Sequence, residues 1–277
     1  MPQSTKSKQD LAAFWNQSRD YYAMAAAANP EASRERQRML AHLAGGERVL
    51  DLGSGSCENA LWLPPGCRYV GLDVSLVGLL MAGEAGRPGA RVRGDSEGLP
   101  FAEGAFDAVL STYALEHFHD PGRTLREAAR VVRPGGVLMI LGSTWDLPYE
   151  YPPSLPPGRR LEVSIRRLTR QLGAGISGGN TFDTVRSPRV LTEGYLPDAD
   201  AVHVAQSQHV ARYLRGLGMD IVEHTTFTHR AEPGGLRGLY RKLLRRVPLW
   251  RNAWGNNLLV ARRGAVLGTP TYRLLPL

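Results

Sequence analysis

The chain has 277 residues, of which 43% are hydrophobic and 22% charged, and these values are ordinary for a folded globular protein. No apolar run is long enough to span a membrane, and the N-terminal sequence MPQSTKSKQD lacks the apolar segment of a secretory signal, so we expect neither feature. The net charge is +8, and residues 151–277 hold 19 basic and 8 acidic residues. Residues 151–277, with this excess of positive charge, could bind an anionic small molecule, a membrane surface or nucleic acid, or their basic side chains could simply be solvated.

The N-terminal segment, residues 1–46, predicts helices. Residues 9–28 and 31–44 have helical patterns that are separated at Asn29-Pro30 and end at a glycine pair. Aromatic side chains, among them Phe14 and Tyr22, can share one helical face. They could pack in the core, or they could form a lid that closes over a ligand and excludes water. In the second interpretation Tyr22 is a candidate substrate contact.

Five strand-like runs then alternate with helical stretches. The runs lie at residues 47–52, 67–73, 90–95, 105–112 and 135–143. This alternation predicts an α/β fold with a mainly parallel sheet and helices on both faces. The first strand runs into glycines at Gly53 and Gly55 and then into the short helical stretch ENALW. A strand that ends in such a turn brings the backbone close to a ligand.

The C-terminal half has two different parts. Residues 146–200 are rich in Pro, Tyr and Gly, with one basic amphipathic helix at LEVSIRRLTRQL, so we interpret them as an insertion within a single domain. Residues 201–263 predict helix, strand, basic helix at 235–247 and a last strand. Residues 264–277 form a tail.

Acidic residues lie at the ends of successive predicted strands, and parallel strands bring these ends to one edge. Asp73 could accept hydrogen bonds from ribose hydroxyls, or it could cap the helix that begins near Ser75. Asp95 follows the third strand in the same way. A nicotinamide dehydrogenase is disfavoured, because the third glycine of its G-x-G-x-x-G pattern would be Glu58, which repels a pyrophosphate.

Five motifs in order, VLDLGSGSCENA, GLDVS, GDSEGLPF, FDAVLSTYALEHF and RVVRPGGVLMI, resemble the class I S-adenosylmethionine-dependent methyltransferases. The similarity is to their small-molecule branch, which includes quinone methyltransferases, and it covers residues 47–142. The resemblance implies a Rossmann-like, seven-stranded, mostly parallel sheet whose last strand is antiparallel. It also implies S-adenosyl-L-methionine as the cofactor.

The resemblance assigns cofactor contacts to residues at four strand ends. They are Asp51, Gly53, Ser54 and Gly55 around the methionine portion, Asp73 at the ribose, Val74 at the adenine, Asp95 and Ser96 at the adenine amino group, and Thr112 and Tyr113 beside the sulfonium. In one departure, Cys57 replaces a glycine that is frequent in the family. Its Cβ should either narrow the loop or change the backbone there.

The acceptor side is less defined by motifs. In-line methyl transfer depends mainly on positioning, and a base is needed only when the nucleophile arrives protonated. His117, at the end of the fourth strand, is the candidate base, and Tyr195 and His203 are further candidate substrate contacts. A structural hydrogen bond is the alternative for each. The turn LEHFHD clusters acids and histidines, yet we expect no metal, because sulfonium transfer needs no Lewis acid.

The sequence therefore predicts a cytoplasmic enzyme that transfers a methyl group to an O, N or C nucleophile of a small molecule in secondary-metabolite, lipid or quinone biosynthesis. Residues 146–200, with the N-terminal lid, should form the acceptor site, and their arginines leave an anionic acceptor open. Two alternatives remain. One is a fold relative that binds the cofactor but catalyses a cyclisation or rearrangement. The other is a basic protein that binds membranes or nucleic acid, although the motif STYA and the lack of a recognition module disfavour nucleic acid.

Overall fold

The structure is a computed structural model. It describes residues 8–16, 19–27, 32–143, 146, 151–152, 155–171, 182–184, 201–204, 206–227, 235–247 and 255–264. None of the helices in these ranges has the length and hydropathy that crossing a membrane would need.

Three short helices precede the sheet: α1 (Lys8–Trp15), α2 (Arg19–Ala27) and α3 (Ala32–Leu40). The prediction of one helix over residues 9–28 is wrong, because α1 ends before Asn16. The Asn16 side chain accepts from the backbone amides of Leu76 and Val77, at 2.8 and 3.4 Å. An asparagine that bonds a distant backbone in this way no longer favours continuation of its own helix.

Within the described ranges, nine strands follow in chain order. They are β1 (Arg48–Leu52), β2 (Arg68–Asp73), β3 (Ala90–Arg93), β4 (Phe106–Thr112), β5 (Val132–Ser143), β6 (Asp183–Thr184), β7 (His203–Val204), β8 (Met219–Phe227) and β9 (Asn256–Arg263). Seven of them form one sheet in the order β3-β2-β1-β4-β5-β9-β8, while β6 and β7 pair separately. Strands β1 to β5 are parallel, and β9 is antiparallel to both of its neighbours. The predicted sheet, including its antiparallel last strand, is confirmed.

Five further α-helices lie within the described ranges. They are α4 (Leu76–Glu84), α5 (Pro121–Val131), α6 (Arg160–Gln171), α7 (Ser207–Gly216) and α8 (Gly235–Arg245). Among them, α4, α5 and α7 pack against strands of the sheet. Successive residues of a strand point to opposite faces, so Leu50 packs in the cluster that contains Leu125 and Leu214 of α5 and α7. Val49 packs in the cluster that contains Met39 of α3. The core is therefore two apolar layers with the sheet between them.

The ends of α4, α5 and α7 are fixed by side-chain caps. The Ser75 hydroxyl accepts from Gly78 N (3.3 Å) at the start of α4, and Asp120 accepts from Arg123 N (2.9 Å) at the start of α5. Asp146 is fully buried and accepts from the amides of Ser207 and Gln208, at 3.0 and 3.2 Å. Asp146, the first residue of the predicted insertion, thus caps the N-terminal end of α7.

The order of the strands determines where a ligand-binding crevice is expected. The sheet continues from β1 toward β2 on one side and toward β4 on the other, so the topology switches between β1 and β4. In open α/β sheets, ligands bind outside the carboxyl ends of the strands at such a switch. We call this side of the sheet the carboxyl edge.

Candidate functional site

The turn after β1, residues 53–57, is called the glycine loop here. Gly53 and Gly55 have φ of +68° and +51°, a left-handed conformation that favours glycine. The amides of Gly53 and Ser54 both donate to Leu72 O, at 2.9 and 3.1 Å. A Cβ on Gly53 would lie only 2.6 Å from that of Ala114. Glycine is therefore required where the loop passes between β2 and the turn that follows β4.

Asp51 lies fully buried beneath the glycine loop. Its Oδ2 accepts from the Tyr69 hydroxyl (2.7 Å) and from Asn59 Nδ2 (2.9 Å), and the same Asn59 nitrogen donates to Thr112 Oγ1 (2.8 Å). Burial raises the pKa of Asp51 to about 6. Its Oδ1 is buried and has no hydrogen-bond donor among the described residues. An acceptor of this kind suits the amino group of a ligand's amino-acid portion.

Asp73 is buried at the end of β2 and holds two backbone amides. Its Oδ2 accepts from Gly55 N and its Oδ1 from Ser75 N, both at 2.7 Å. Burial raises the pKa of this carboxyl. Ser75, not Asp73, is the N-cap of α4, so Asp73 orients the cap and the glycine loop together. Its predicted contact with a ribose stays a prediction, and each of its oxygens retains a second lone pair.

Cys57 closes the glycine loop in a left-handed conformation, with φ of +57°. The thiol is fully buried in a cluster with Tyr69 and Leu79. The Cβ position of Gly71 on β2 is only 2.7 Å from the Cys57 sulfur, so the absence of a side chain at Gly71 makes room for it. Cys57, in place of the family's glycine, therefore strains the backbone. Its side chain fills space beneath the loop and does not narrow the open side of the loop.

Helices α1 and α2 lie against the glycine loop. A Cβ on Gly55 would be 3.3 Å from the Tyr22 ring. Both the Tyr22 hydroxyl and the Ser75 hydroxyl donate to Trp15 O, at 3.2 and 3.0 Å. Asn16 adds its bond to the first amide of α4. Tyr22, predicted as a substrate contact, is thus placed directly over the loop predicted to hold the cofactor.

The third strand end is also engaged by α1. The Lys8 ammonium forms ion pairs with Asp95 and with Glu97 (2.8 Å to the latter). Asp95 is half-exposed, whereas the neighbouring Ser96 is buried and shares a hydrogen bond of 3.0 Å with Thr124 on α5. A ligand amine that bonds Asp95 would therefore lie beside the Lys8 ammonium. Val74 is half-buried beside this strand end.

Tyr113 follows β4 with a φ of +50°, which is strained for a bulky residue. Its hydroxyl donates to Glu35, a fully buried residue of α3, and accepts from Asn256 Nδ2 (3.1 Å) at the start of β9. Burial and the nearby Glu35 carboxylate raise the pKa of Tyr113. The side chain is thus held by α3 and β9. Its contact with a sulfonium stays a prediction.

The two histidine candidates lie on opposite sides of the turn after β4. The His117 ring is 4.8 Å from the Trp15 ring, in edge contact beneath α1. His203 on β7 is buried, and its Nε2 donates to His119 O (2.9 Å). Burial lowers the pKa of His203 to about 4, so its ring is neutral. His203 therefore supports the turn that carries His117. Tyr195 lies outside the described residues.

Several site residues were missed by the sequence analysis. Asn59 and Tyr69 hold Asp51, Glu35 and Asn256 hold Tyr113, and Lys8 pairs with Asp95. Only Asn59 lies inside a recognised motif, where its position in the short helix Glu58–Leu61 could have marked it. In the part of the chain that the structure describes, no three His, Cys, Asp or Glu residues are grouped to hold a metal, and this includes the turn LEHFHD.

Residues 50–140 match the family model described as a methyltransferase domain. This match coincides with β1 to β5, the glycine loop and the three acidic strand ends. The sheet order and its antiparallel last strand agree with it. Residues 50–140 are therefore similar to a methyltransferase domain, and the arrangement of the sheet supports this likeness.

Among known proteins, the chain is 42% identical over 108 residues to a demethylmenaquinone methyltransferase of Corynebacterium glutamicum. The match covers 39% of this chain and 46% of that relative, so the similarity spans less than half of either protein. It confirms the resemblance to the quinone branch over the 108 residues that match.

Solved structures extend the similarity of fold to most of the chain. A Thermotoga maritima S-adenosylmethionine-dependent methyltransferase, described as a possible histamine N-methyltransferase, has a TM-score of 0.56 at 14% identity, covering 91% of this chain and 99% of that one. The 4+2 cyclase SpnF has a TM-score of 0.53 at 18% identity, covering 85% and 82%. At such identities the likeness shows the fold alone, and the fold occurs in both a methyltransferase and a cyclase.

Proposed function

We propose that the chain binds S-adenosylmethionine and transfers its methyl group to a small-molecule acceptor. The observation that carries this proposal is the buried Asp51 under the glycine loop, with one oxygen that lacks a donor among the described residues. The cofactor's amino group, ribose hydroxyls and adenine amine are all hydrogen-bond donors, and Asp51, Asp73 and Asp95 offer acceptors at three neighbouring strand ends. The glycines let the loop backbone pass close to Ala114 and to the Tyr22 ring.

When bound, the cofactor supplies a methyl group on a positively charged sulfur. The chain's own residues would then have to orient the two reactants and exclude water. Helices α1 and α2 suit the second task, because Trp15 and Tyr22 already cover the turn after β4 and the glycine loop. We assign to His117, beneath Trp15, the role of accepting a proton from an acceptor that arrives protonated.

We further propose a neutral aromatic acceptor of the quinol class, bound by residues 146–200 and the N-terminal lid. The relatives that match part of the chain are named for a quinone acceptor. The arginines of the insertion are weak support for an anionic acceptor, because three of them have partners within the protein. Arg159 and Arg166 pair with Glu162, at 3.6 and 2.5 Å, and Arg167 stacks on Tyr151 at 5.1 Å.

A cytoplasmic location is proposed on a separate ground. Both cysteines of the chain, Cys57 and Cys67, are free thiols, and a reducing compartment keeps thiols in this state.

Calorimetry and product mass test the proposed function. S-adenosylmethionine and its demethylated product should bind with micromolar dissociation constants, about −8 kcal/mol, whereas NAD should give no heat. With a naphthoquinol acceptor, the product should gain one CH₂. Absence of binding by both forms of the cofactor would overturn the proposal.

The alternative of cyclisation without methyl transfer is not favoured, because the likeness to the cyclase SpnF shows the fold alone. The same mass measurement separates the two. A rearranged product of unchanged mass, formed while the cofactor is not consumed, would support the cyclase and contradict methyl transfer.

A further inference from the structure

Helix α8 exposes an apolar arc. Leu239 and Leu243 are 56% and 52% exposed, and Tyr240 and Val247, the latter in the turn after the helix, are also exposed. With 3.6 residues per turn, these four side chains fall within about 100° of the helix circumference. The sequence alone left open that the leucines of this helix pack in the core. The exposure of Leu239 and Leu243 excludes that interpretation for these two.

Positive charge borders this arc. Lys242 and Arg246 are exposed and lie on the side of the arc next to Leu239. Residues 233–277 contain nine basic residues and no Asp or Glu, so this part of the sequence is strongly positive. An apolar face flanked by cations is complementary to an anionic lipid surface, whose headgroups attract the cations while its acyl chains take up the apolar side chains.

A second copy of the chain suits this face less well. A symmetric pairing of two α8 helices through their apolar arcs would bring Lys242 and Arg246 of one copy close to those of the other. Like charges held together in this way oppose association.

Helix α6 provides an instructive comparison. It also points apolar side chains outward, at Leu161 and Ile165, while Val163 packs inward. Its arginines, however, do not border these leucine and isoleucine side chains as free surface charges: Arg166 pairs with Glu162, and Arg167 is buried against Tyr151. We therefore assign lipid docking to α8, whose exposed Lys242 and Arg246 lie beside its exposed apolar arc.

The topology ties α8 to the carboxyl edge. Strand β8 ends at Phe227, which pairs with Asn256 at the start of β9, so the chain leaves and re-enters the sheet at one point of this edge. Gly235 begins α8 eight residues after Phe227, and such a connection spans at most about 28 Å. The glycine loop opens at the same edge.

We propose that α8 docks the protein on an anionic membrane surface, with Leu239, Leu243 and Val247 entering the acyl boundary and Lys242 and Arg246 at the headgroups. The docking brings the carboxyl edge near the phase in which a lipophilic compound dissolves. The inference stands on α8 and does not require methyl transfer.

Vesicle co-sedimentation of the full chain tests the proposal. The protein should bind phosphatidylcholine vesicles that contain phosphatidylglycerol, and this binding should weaken strongly in pure phosphatidylcholine and at high salt. Leu243→Gln should weaken the binding roughly tenfold, since one leucine no longer leaves water. Leu80→Gln on α4 is the matched control, because Leu80 is also 52% exposed, and it should leave binding unchanged.

Three results would overturn the proposal. They are equal vesicle binding by Leu243→Gln and the unaltered protein, retention on DNA without retention on vesicles, and a concentration-dependent dimer that Leu243→Gln abolishes. Cofactor binding, measured on each variant, verifies the fold, and it separates this test from that of the proposed function.

Discussion

The Asp73 carboxylate is bonded to two backbone amides, those of Gly55 and Ser75. Replacement by Ala would leave both amides without their acceptor in a buried place, which costs about 1–3 kcal/mol of stability in addition to any loss of ligand contact. Asp73→Asn keeps one acceptor oxygen. We expect Asp73→Asn to lower cofactor affinity by about 1–3 kcal/mol and to destabilise the fold less than Asp73→Ala.

Calorimetry for binding and urea unfolding for stability check this prediction. Full cofactor affinity in a folded Asp73→Asn variant would show that the residue serves only the backbone of the loop and the cap.

Asp51 makes stability depend on pH. Its folded pKa of about 6 lies above the ordinary value of 3.8, so the folded state retains a proton that the unfolded state has lost between these values. Stability from this group is complete below about pH 4 and is lost as the pH rises through 6, in total about 3 kcal/mol. Asp51→Asn removes this ionisation.

Relative to the unaltered protein, Asp51→Asn should therefore be more stable at pH 8 than at pH 4, as measured by its free energy of unfolding. Urea titrations at the two pH values measure the difference. An equal effect at both would contradict the buried titration.

At the scale of elements, the contact between α4 and the glycine loop depends on Gly78. A Cβ at this position would be 2.8 Å from the backbone carbon and oxygen of Gly55, and backbone atoms cannot move aside cheaply. Gly78→Ala should therefore lower both cofactor affinity and stability, the latter by about 1–3 kcal/mol. Gly83 on the same helix is the control.

A Cβ on Gly83 would meet only the flexible Arg91 side chain, at 3.7 Å. Gly83→Ala should raise stability by up to about 1 kcal/mol, because alanine favours the helix. Thermal melts compare the two variants. Equal effects of both would mean that the close approach at Gly78 is relieved elsewhere.

The cover formed by α1 and α2 predicts slow release of the cofactor. Tyr22→Ala removes the ring that lies over Gly55, and cofactor dissociation should become roughly tenfold faster. Tyr22→Phe keeps the ring and loses only the bond to Trp15 O, so its effect should be small. Stopped-flow displacement measures both rates. Similar rates for Tyr22→Ala and the unaltered protein would exclude this cover from ligand release.

Strands and helices were predictable where their pattern is local. The alternation along residues 47–143 specified β1 to β5 because β1, β2, β4 and β5 are largely buried and helical stretches separate the strands. The division between α1 and α2 was not predictable, since it depends on bonds from Asn16 to a helix 60 residues away in sequence. The pairing of β6 with β7 likewise joins two-residue strands that have no pattern of their own.

The site divides in the same way. The motif around Gly53 and Gly55 indicated the loop and the buried acid before it. The partners that hold the motif residues come from distant segments, as Glu35 does for Tyr113 across 78 positions. Distances of this kind leave no local pattern, because they are fixed only when the sheet has formed.

For the whole molecule, we predict turnover without a metal ion. Across the described ranges, His, Cys, Asp and Glu form no group that could hold one. The positive sulfur already activates the methyl carbon, so the reaction needs positioning more than a Lewis acid. Activity should survive prolonged dialysis against EDTA. Loss of activity that magnesium specifically restores would contradict the prediction.

The alkylation rate of the buried Cys57 thiol can report how often the glycine loop opens. Burial raises the pKa of this thiol, which keeps it protonated and slow to alkylate while the loop above it is closed. Cys67 is only half-buried and serves as a reference within the same molecule. The alkylation rate of Cys57 relative to Cys67 therefore counts the openings of the loop, without any label being introduced. A ligand that keeps the loop closed should slow the alkylation of Cys57 and leave the alkylation rate of Cys67 unchanged.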